Sequence, residues 1–206
     1  MTETLIVSYA PRIGSYNKVL VNEFISLANS KTKIKHLDLV ESPPDLLLKE
    51  NLNLMMDWNQ GKRAFSNEER LVLLNHHALI EEFLLADYIV LAFPIYNFTM
   101  PATVKAWIDA IVVSDRTFSF TPEKGFKGTC ENKRALSVVV AGFDYNNSNH
   151  FKEYASCTVK QNFDFMGVRS KQVSVFGVDQ NKEHLDSILD QAKAELKATV
   201  SDWFES

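Results

Sequence analysis

Cysteine is nearly absent: Cys130 and Cys157 are the only two in 206 residues. They are too few and too far apart for a disulfide framework or a CxxC metal site, and a reducing cytosol suits them. Long apolar runs are missing as well. The N-terminal stretch carries Glu3 and a short apolar core of Leu5, Ile6 and Val7, far below a signal peptide or membrane span, so a cytoplasmic protein with no membrane partner is expected. No long run of one charge occurs. With 22 basic and 26 acidic residues the formal net charge is -4, which favours no nucleic acid and requires any bound phosphate to be held locally. His36, His76, His77, His150 and His184 show no metal-ligand spacing with cysteine or carboxylate. They are read as surface or core-edge residues, and no metal is expected. Neither GxxxxGK, GxGxxG nor GxSxG occurs, which disfavours a nucleoside triphosphatase, a dinucleotide-binding Rossmann domain and a serine hydrolase elbow.

What is present is an alternation of short apolar runs with longer segments of helical period, the mark of an α/β chain with a parallel sheet and helices on both faces. Five strands are predicted at residues 4–8, 33–39, 88–93, 135–141 and 172–176, the third reading YIVLAF and stopped by Pro94. Ser66 and Glu69 form a capping box ahead of a helix over 70–85. Pro101 opens a helix running to residue 113, and a last helix covers 182–204. The stretch 41–65 contains Leu46, Leu47, Leu48, Met55, Met56 and Trp58 and is too apolar for a free loop. It either covers the core or meets another subunit.

Ligands of open parallel sheets bind beyond the carboxyl ends of the strands, near the point where winding reverses, so the loops after strands one, three and four are the places to search. After strand one, Arg12, Ser15, Tyr16 and Asn17 lead into a helix. Side-chain donors and first-turn amides there suit a monophosphate, Arg12 adding charge; Ser15 or Asn17 as a plain N-cap is the competing reading. After strand three, Pro94, Ile95, Tyr96, Asn97 and Phe98 form a proline-stiffened loop suited to a flat heterocycle, with rings for its faces and an amide for its rim. Tyr96 and Phe98 are otherwise ordinary packing residues.

The run Pro94-Ile95-Tyr96-Asn97-Phe98, followed by Lys105-Ala106-Trp107-Ile108-Asp109 and by Thr117-Phe118-Ser119-Phe120-Thr121 ahead of Gly125 and Gly128, resembles the FMN-dependent azoreductase and NADH:quinone oxidoreductase family. The resemblance spans most of the chain. It implies a flavodoxin-like fold, a doubly wound five-stranded parallel sheet in order 2-1-3-4-5, as a single domain over residues 1–206. It also implies a homodimer with one FMN per subunit near the interface, reduced by NADH or NADPH and oxidised by a small aromatic oxidant, a quinone or azo compound, in a ping-pong cycle. Ser15, Tyr16 and Asn17 match the family's phosphate-binding S-x-S with Asn in place of the last Ser, and residues 94–98 match the loop that holds the isoalloxazine. Where the family commonly has S-R/S-G-G, this chain has Val140-Ala141-Gly142-Phe143, keeping one glycine and replacing the next with an aromatic. Ala141, Gly142 and Phe143 are accordingly assigned to the cofactor, and Phe120 and Phe165, with Phe143, to the wall of a substrate pocket or else to the core. The flavin carries the chemistry, so no catalytic side chain is assigned. A one-electron flavodoxin-like carrier and a non-flavin hydrolase or binding protein on the same fold are the alternatives.

Overall fold

Strands buried on both faces need near-continuous apolar runs, and the inner strands of this sheet have them. A computed structural model of the chain describes residues 1–61 and 63–205. In it β1 (Glu3–Ser8), β2 (Lys33–Asp38) and β3 (Tyr88–Pro94) precede β4 (Phe118–Thr121), β5 (Gly125–Gly128), β6 (Arg134–Ala141) and β7 (Arg169–Phe176). Five of them form one parallel sheet in order β2-β1-β3-β6-β7. The flavodoxin-like class stands, but the expected order 2-1-3-4-5 is corrected to 2-1-3-6-7 in chain numbering. The two extra strands, β4 and β5, pair only with each other as an antiparallel hairpin. At four residues each they carry too little alternation to register as strands in the sequence.

Of the helices, α1 (Tyr16–Ala28), α2 (Lys49–Asn59), α3 (Asn67–Val72) and α4 (Leu74–Leu85) come first, followed by α5 (Ala102–Ile111), α6 (Ala155–Met166) and α7 (Leu185–Phe204). One face of the sheet packs Ile6, Val90 and Val138 against Leu20 and Phe24 of α1 and Leu196 and Val200 of α7. The other packs Leu91, Phe93 and Val139 against Phe83 of α4, Trp107 of α5 and Phe163 of α6. Strand alternation therefore sends successive residues into two separate cores.

Some elements differ from expectation. The helix expected over 70–85 is two helices, with the capping box in place at Ser66 and Glu69 and a break at Leu73. That break buries Leu73 completely and leaves Leu71 and Leu74 exposed. Pro101 stands one residue before α5 rather than inside it, and a 3-10 turn, Lys182–His184, precedes α7. The sequence reading passes over α6, whose buried Ala155, Val159, Phe163 and Met166 repeat at helical spacing and stop at Gly167, φ 83°. Within 41–65, α2 buries none of its residues fully. Its Trp58 leans on His77, 4.4 Å between centroids, and on Phe65, 5.1 Å.

Candidate functional site

Because β1, β3, β6 and β7 are parallel, the loops that follow them gather at one end of the sheet. They enclose a cavity of about 180 Å³ lined by Pro11, Arg12, Ser15, Tyr16 and Asn17 after β1, Pro94, Ile95 and Tyr96 after β3, Val140, Ala141 and Gly142 at the end of β6, and Val178 and Asp179 after β7.

The start of α1 has its polar groups to spare. Ser15 occupies the N-cap position with extended backbone, yet its hydroxyl makes no capping bond. Asn17 lies inside the helix, is 1% exposed, and its Oδ1 is buried without a hydrogen-bond partner. The amides of Tyr16 and Asn17, in the first turn, have no acceptor within the helix. A plain N-cap would have used that hydroxyl. An unpartnered buried amide costs about 1–3 kcal/mol, so this end of α1 is built for a hydrogen-bonding guest rather than for itself.

Charge enters the cavity from two sides. Arg12 Nη1 stands 4.0 Å from Asp179 Oδ2. The same carboxylate lies over Gly142, where a Cβ would stand 2.2 Å from Oδ2 and force the Asp179 side chain to turn away. The backbone stitches these loops together: Asp179 N donates to Gly142 O at 3.2 Å, Val178 N to Ala141 O at 3.2 Å and Gly177 N to Phe143 O at 3.0 Å.

The loop after β3 is strained. Tyr96 N donates to Thr99 O at 2.9 Å and Thr99 N to Tyr96 O at 3.0 Å, closing a two-residue turn whose central residues are both left-handed, Asn97 at φ 47° and Phe98 at φ 70°. Asparagine tolerates that region, whereas phenylalanine does not. The conformation costs about 1–2 kcal/mol per residue, and such strain persists only where surrounding structure imposes it. The Tyr96 ring meets Tyr9 edge-on at 6.1 Å. Burial and the Tyr9 phenol push the Tyr96 phenol above its usual pKa, while Arg12 opposes them.

Residues 2–200 match a family model described as a flavodoxin-like fold. FMN-dependent NADH:quinone oxidoreductase 2 of Pseudomonas putida is 31% identical, over 97% of this chain and 100% of that one. The chain belongs to the flavodoxin-like family of the FMN-dependent NADH:quinone oxidoreductases. A second relative of that name, from Delftia acidovorans, is 31% identical over 82% of this chain and 79% of its own. The fold is shared with the crystal structure of an azoreductase from Bacillus anthracis str. Sterne, with a TM-score of 0.89, 23% identity, and 98% and 100% of the two chains covered. It is also shared with an FMN-dependent NADH-azoreductase from Bacillus anthracis str. Ames Ancestor solved in complex with FMN, TM-score 0.87, 22% identity, covering 98% and 99%.

In this member of the family nine of the residues singled out in the sequence, Arg12, Ser15, Tyr16, Asn17, Pro94, Ile95, Tyr96, Ala141 and Gly142, line the one cavity. Asn97, Phe98 and Phe143 flank it. Phe98 and Phe143 join a cluster with Tyr145 and Phe151. Phe120 and Phe165 line no part of it. They sit at the hairpin with Phe126, Phe120 at 4.8 Å and Phe165 at 5.7 Å from its ring. Pro11, Val140, Val178 and Asp179 also line the cavity, though none of them is assigned to the site from the sequence. Asp179 follows the carboxyl end of the last strand, and only the pairing of β6 with β7 brings it beside Gly142. Among the described residues no group of three or more His, Cys, Asp or Glu could hold a metal ion.

Proposed function

We propose that the chain, as one flavodoxin-like domain, holds FMN in this cavity and works in the cytoplasm as a homodimeric reductase. NADH or NADPH is its donor and a quinone or azo compound its acceptor, the two handled in turn at one site. The observation that carries the reading is the start of α1, where the Ser15 hydroxyl makes no cap and the buried Asn17 Oδ1 has no partner, in the same cavity as a strained aromatic loop. These residues fit the cofactor. Ser15, the first-turn amides and Arg12 supply donors and charge for a phosphate, and the unpartnered Asn17 Oδ1 would accept from a hydroxyl of the guest. Pro94, Ile95, Tyr96, Asn97 and Phe98 supply a rigid edge for a flat ring, and Ala141, Gly142 and Phe143 close its far side.

When bound, the flavin supplies two-electron chemistry, receiving hydride from the nicotinamide and delivering it to the acceptor. The chain's part is to fix the ring, keep water from it and set dipoles toward its polar rim, which need no reorganisation as charge develops. No nucleophile is required. Phe120 and Phe165, set apart from the chain's own cavity, wall a substrate pocket only when the hairpin meets a second copy. The apolar side chains left exposed at Leu71, Leu74, Phe120 and Phe126 support such a contact.

The test is the visible spectrum of the purified protein, before and after addition of FMN, followed by steady-state oxidation of NADH with a quinone. Flavin absorbance that bleaches with NADH, parallel double-reciprocal lines and a solution mass of two chains are expected. A protein that stays colourless with excess FMN removes the reading. Turnover with intersecting lines removes the alternating use of one site.

A further inference from the structure

Phe98 is the one bulky residue of the 96–99 turn held at positive φ, and it does not hold itself there. Its carbonyl accepts a hydrogen bond from Tyr154 N at 2.7 Å, and its ring stacks on Phe151 at 5.9 Å and 27°. Phe151 continues to Phe143 at 6.1 Å, Phe143 to Tyr145 at 4.9 Å, and Tyr145 returns to Phe98 at 6.3 Å. Four rings close a cycle. Tyr145 anchors it to the sheet through the buried Phe176 at 5.6 Å. The loop carrying Phe151 is pinned locally, with Ser148 Oγ accepting from Phe151 N at 3.0 Å and Asp144 Oδ1 from Asn146 N at 3.1 Å.

Resting on the reading that the Asn97–Phe98 turn grips the cofactor ring, we infer that Phe151 is a positioning residue for FMN. Phe151 is 52% exposed, so global stability gives little reason for an aromatic there; what it touches are the two loops that flank the cavity, through Phe98 on one side and Phe143 on the other. A left-handed phenylalanine relaxes toward the right-handed region unless its neighbours forbid it. Phe151 is the prop that forbids it. The aromatic at 143, standing where the family pattern has its second glycine, thereby gains a task, since it backs Phe151 from the opposite loop.

The experiment is a fluorescence titration of flavin-free protein with FMN, alongside melting of the flavin-free protein, for Phe151→Ala, Phe151→Tyr, Phe98→Gly and the Phe98→Gly/Phe151→Ala pair. Glycine adopts positive φ freely, so in the Phe98→Gly background the turn no longer needs its prop. Phe151→Ala is expected to weaken FMN binding on the order of tenfold with the melting temperature within about 2 °C of wild type. Phe151→Tyr restores the affinity, and in the Phe98→Gly background Phe151→Ala costs less than about threefold. Unchanged FMN affinity in Phe151→Ala overturns the inference, as does an equal loss in both backgrounds. Wild-type protein that fails to bind FMN overturns the proposed cofactor, and this inference with it.

Discussion

The two ends of the central sheet follow opposite rules. At the amino end of the strands the buried polar groups are matched, Glu82 Oε2 apart. Lys133, 4% exposed, donates through Nζ to Leu84 O at 2.7 Å and Ala86 O at 2.6 Å. Thr32 Oγ1 donates to Thr2 O at 2.8 Å and accepts from Thr4 Oγ1 at 3.0 Å, and Glu3 N donates to Asp87 Oδ2 at 2.9 Å. At the carboxyl end Ser15 leaves its capping bond unmade, Asn17 is buried without a partner for Oδ1, and two consecutive side-chain-bearing residues hold positive φ. Folding alone selects for the first arrangement, because each unmet buried group opposes it. The second persists where a ligand supplies the missing half.

The largest expected effect lies at the matched end. Lys133→Met keeps most of the aliphatic stem but strips the carbonyls at the C-terminus of α4 of their charged donor. The flavin-free protein should lose about 3 kcal/mol in urea unfolding, with FMN affinity of the survivors unchanged. A loss below about 1 kcal/mol would show that the amino end is not held by its polar matching. Next comes the mirror substitution at the unmatched end. Asn17→Ala removes a group with no bond to lose from its Oδ1, so unfolding should shift by less than about 1 kcal/mol while FMN binds roughly tenfold more weakly. If stability collapses and FMN affinity does not move, the contrast between the two ends is wrong.

How much of this was readable from residues alone follows the same division. The inner strands announce themselves because burial on both faces leaves little room for polar residues, as in YIVLAF and ALSVVVA. The loops after β1 and β3 are legible because Ser, Asn, Tyr and paired prolines are chemically distinctive. Asp179 is not, for a single carboxylate far along the chain reaches Gly142 only because the sheet sets the end of β7 beside that of β6. Positive φ at Phe98 is illegible in principle, since residue type there argues against it and only the neighbouring rings and the Tyr154 amide impose it. The hairpin β4–β5 is too short for a period, and the break at Leu73 interrupts a pattern that reads as one continuous helix.

The smallest effect is a dependence of stability on pH that sets two histidines, one buried and one exposed on the edge strand β2, apart from the buried lysine. His36 Nε2 lies 2.8 Å from Ser8 Oγ near the carboxyl end of β1, and His76 is 3% exposed with Nδ1 unpartnered. Burial lowers the pKa of each below the usual 6.5, Asp38 and Asp45 offsetting part of the shift. The folded chain therefore keeps both imidazoles neutral at a pH where the unfolded chain has begun to protonate them. Their contribution is fully present above the unfolded value of 6.5 and is lost as pH falls from there through the lower folded values. Burial also lowers the pKa of Lys133, so its own contribution rises with pH where the unfolded chain alone retains the proton. Urea midpoints of flavin-free protein should therefore decline between about pH 7.5 and 5.5. The decline should flatten in a His36→Gln/His76→Gln variant and remain in Lys133→Met. An undiminished slope in the double variant would move the acid sensitivity away from these imidazoles and onto His77, whose pKa burial also lowers, or the carboxylates.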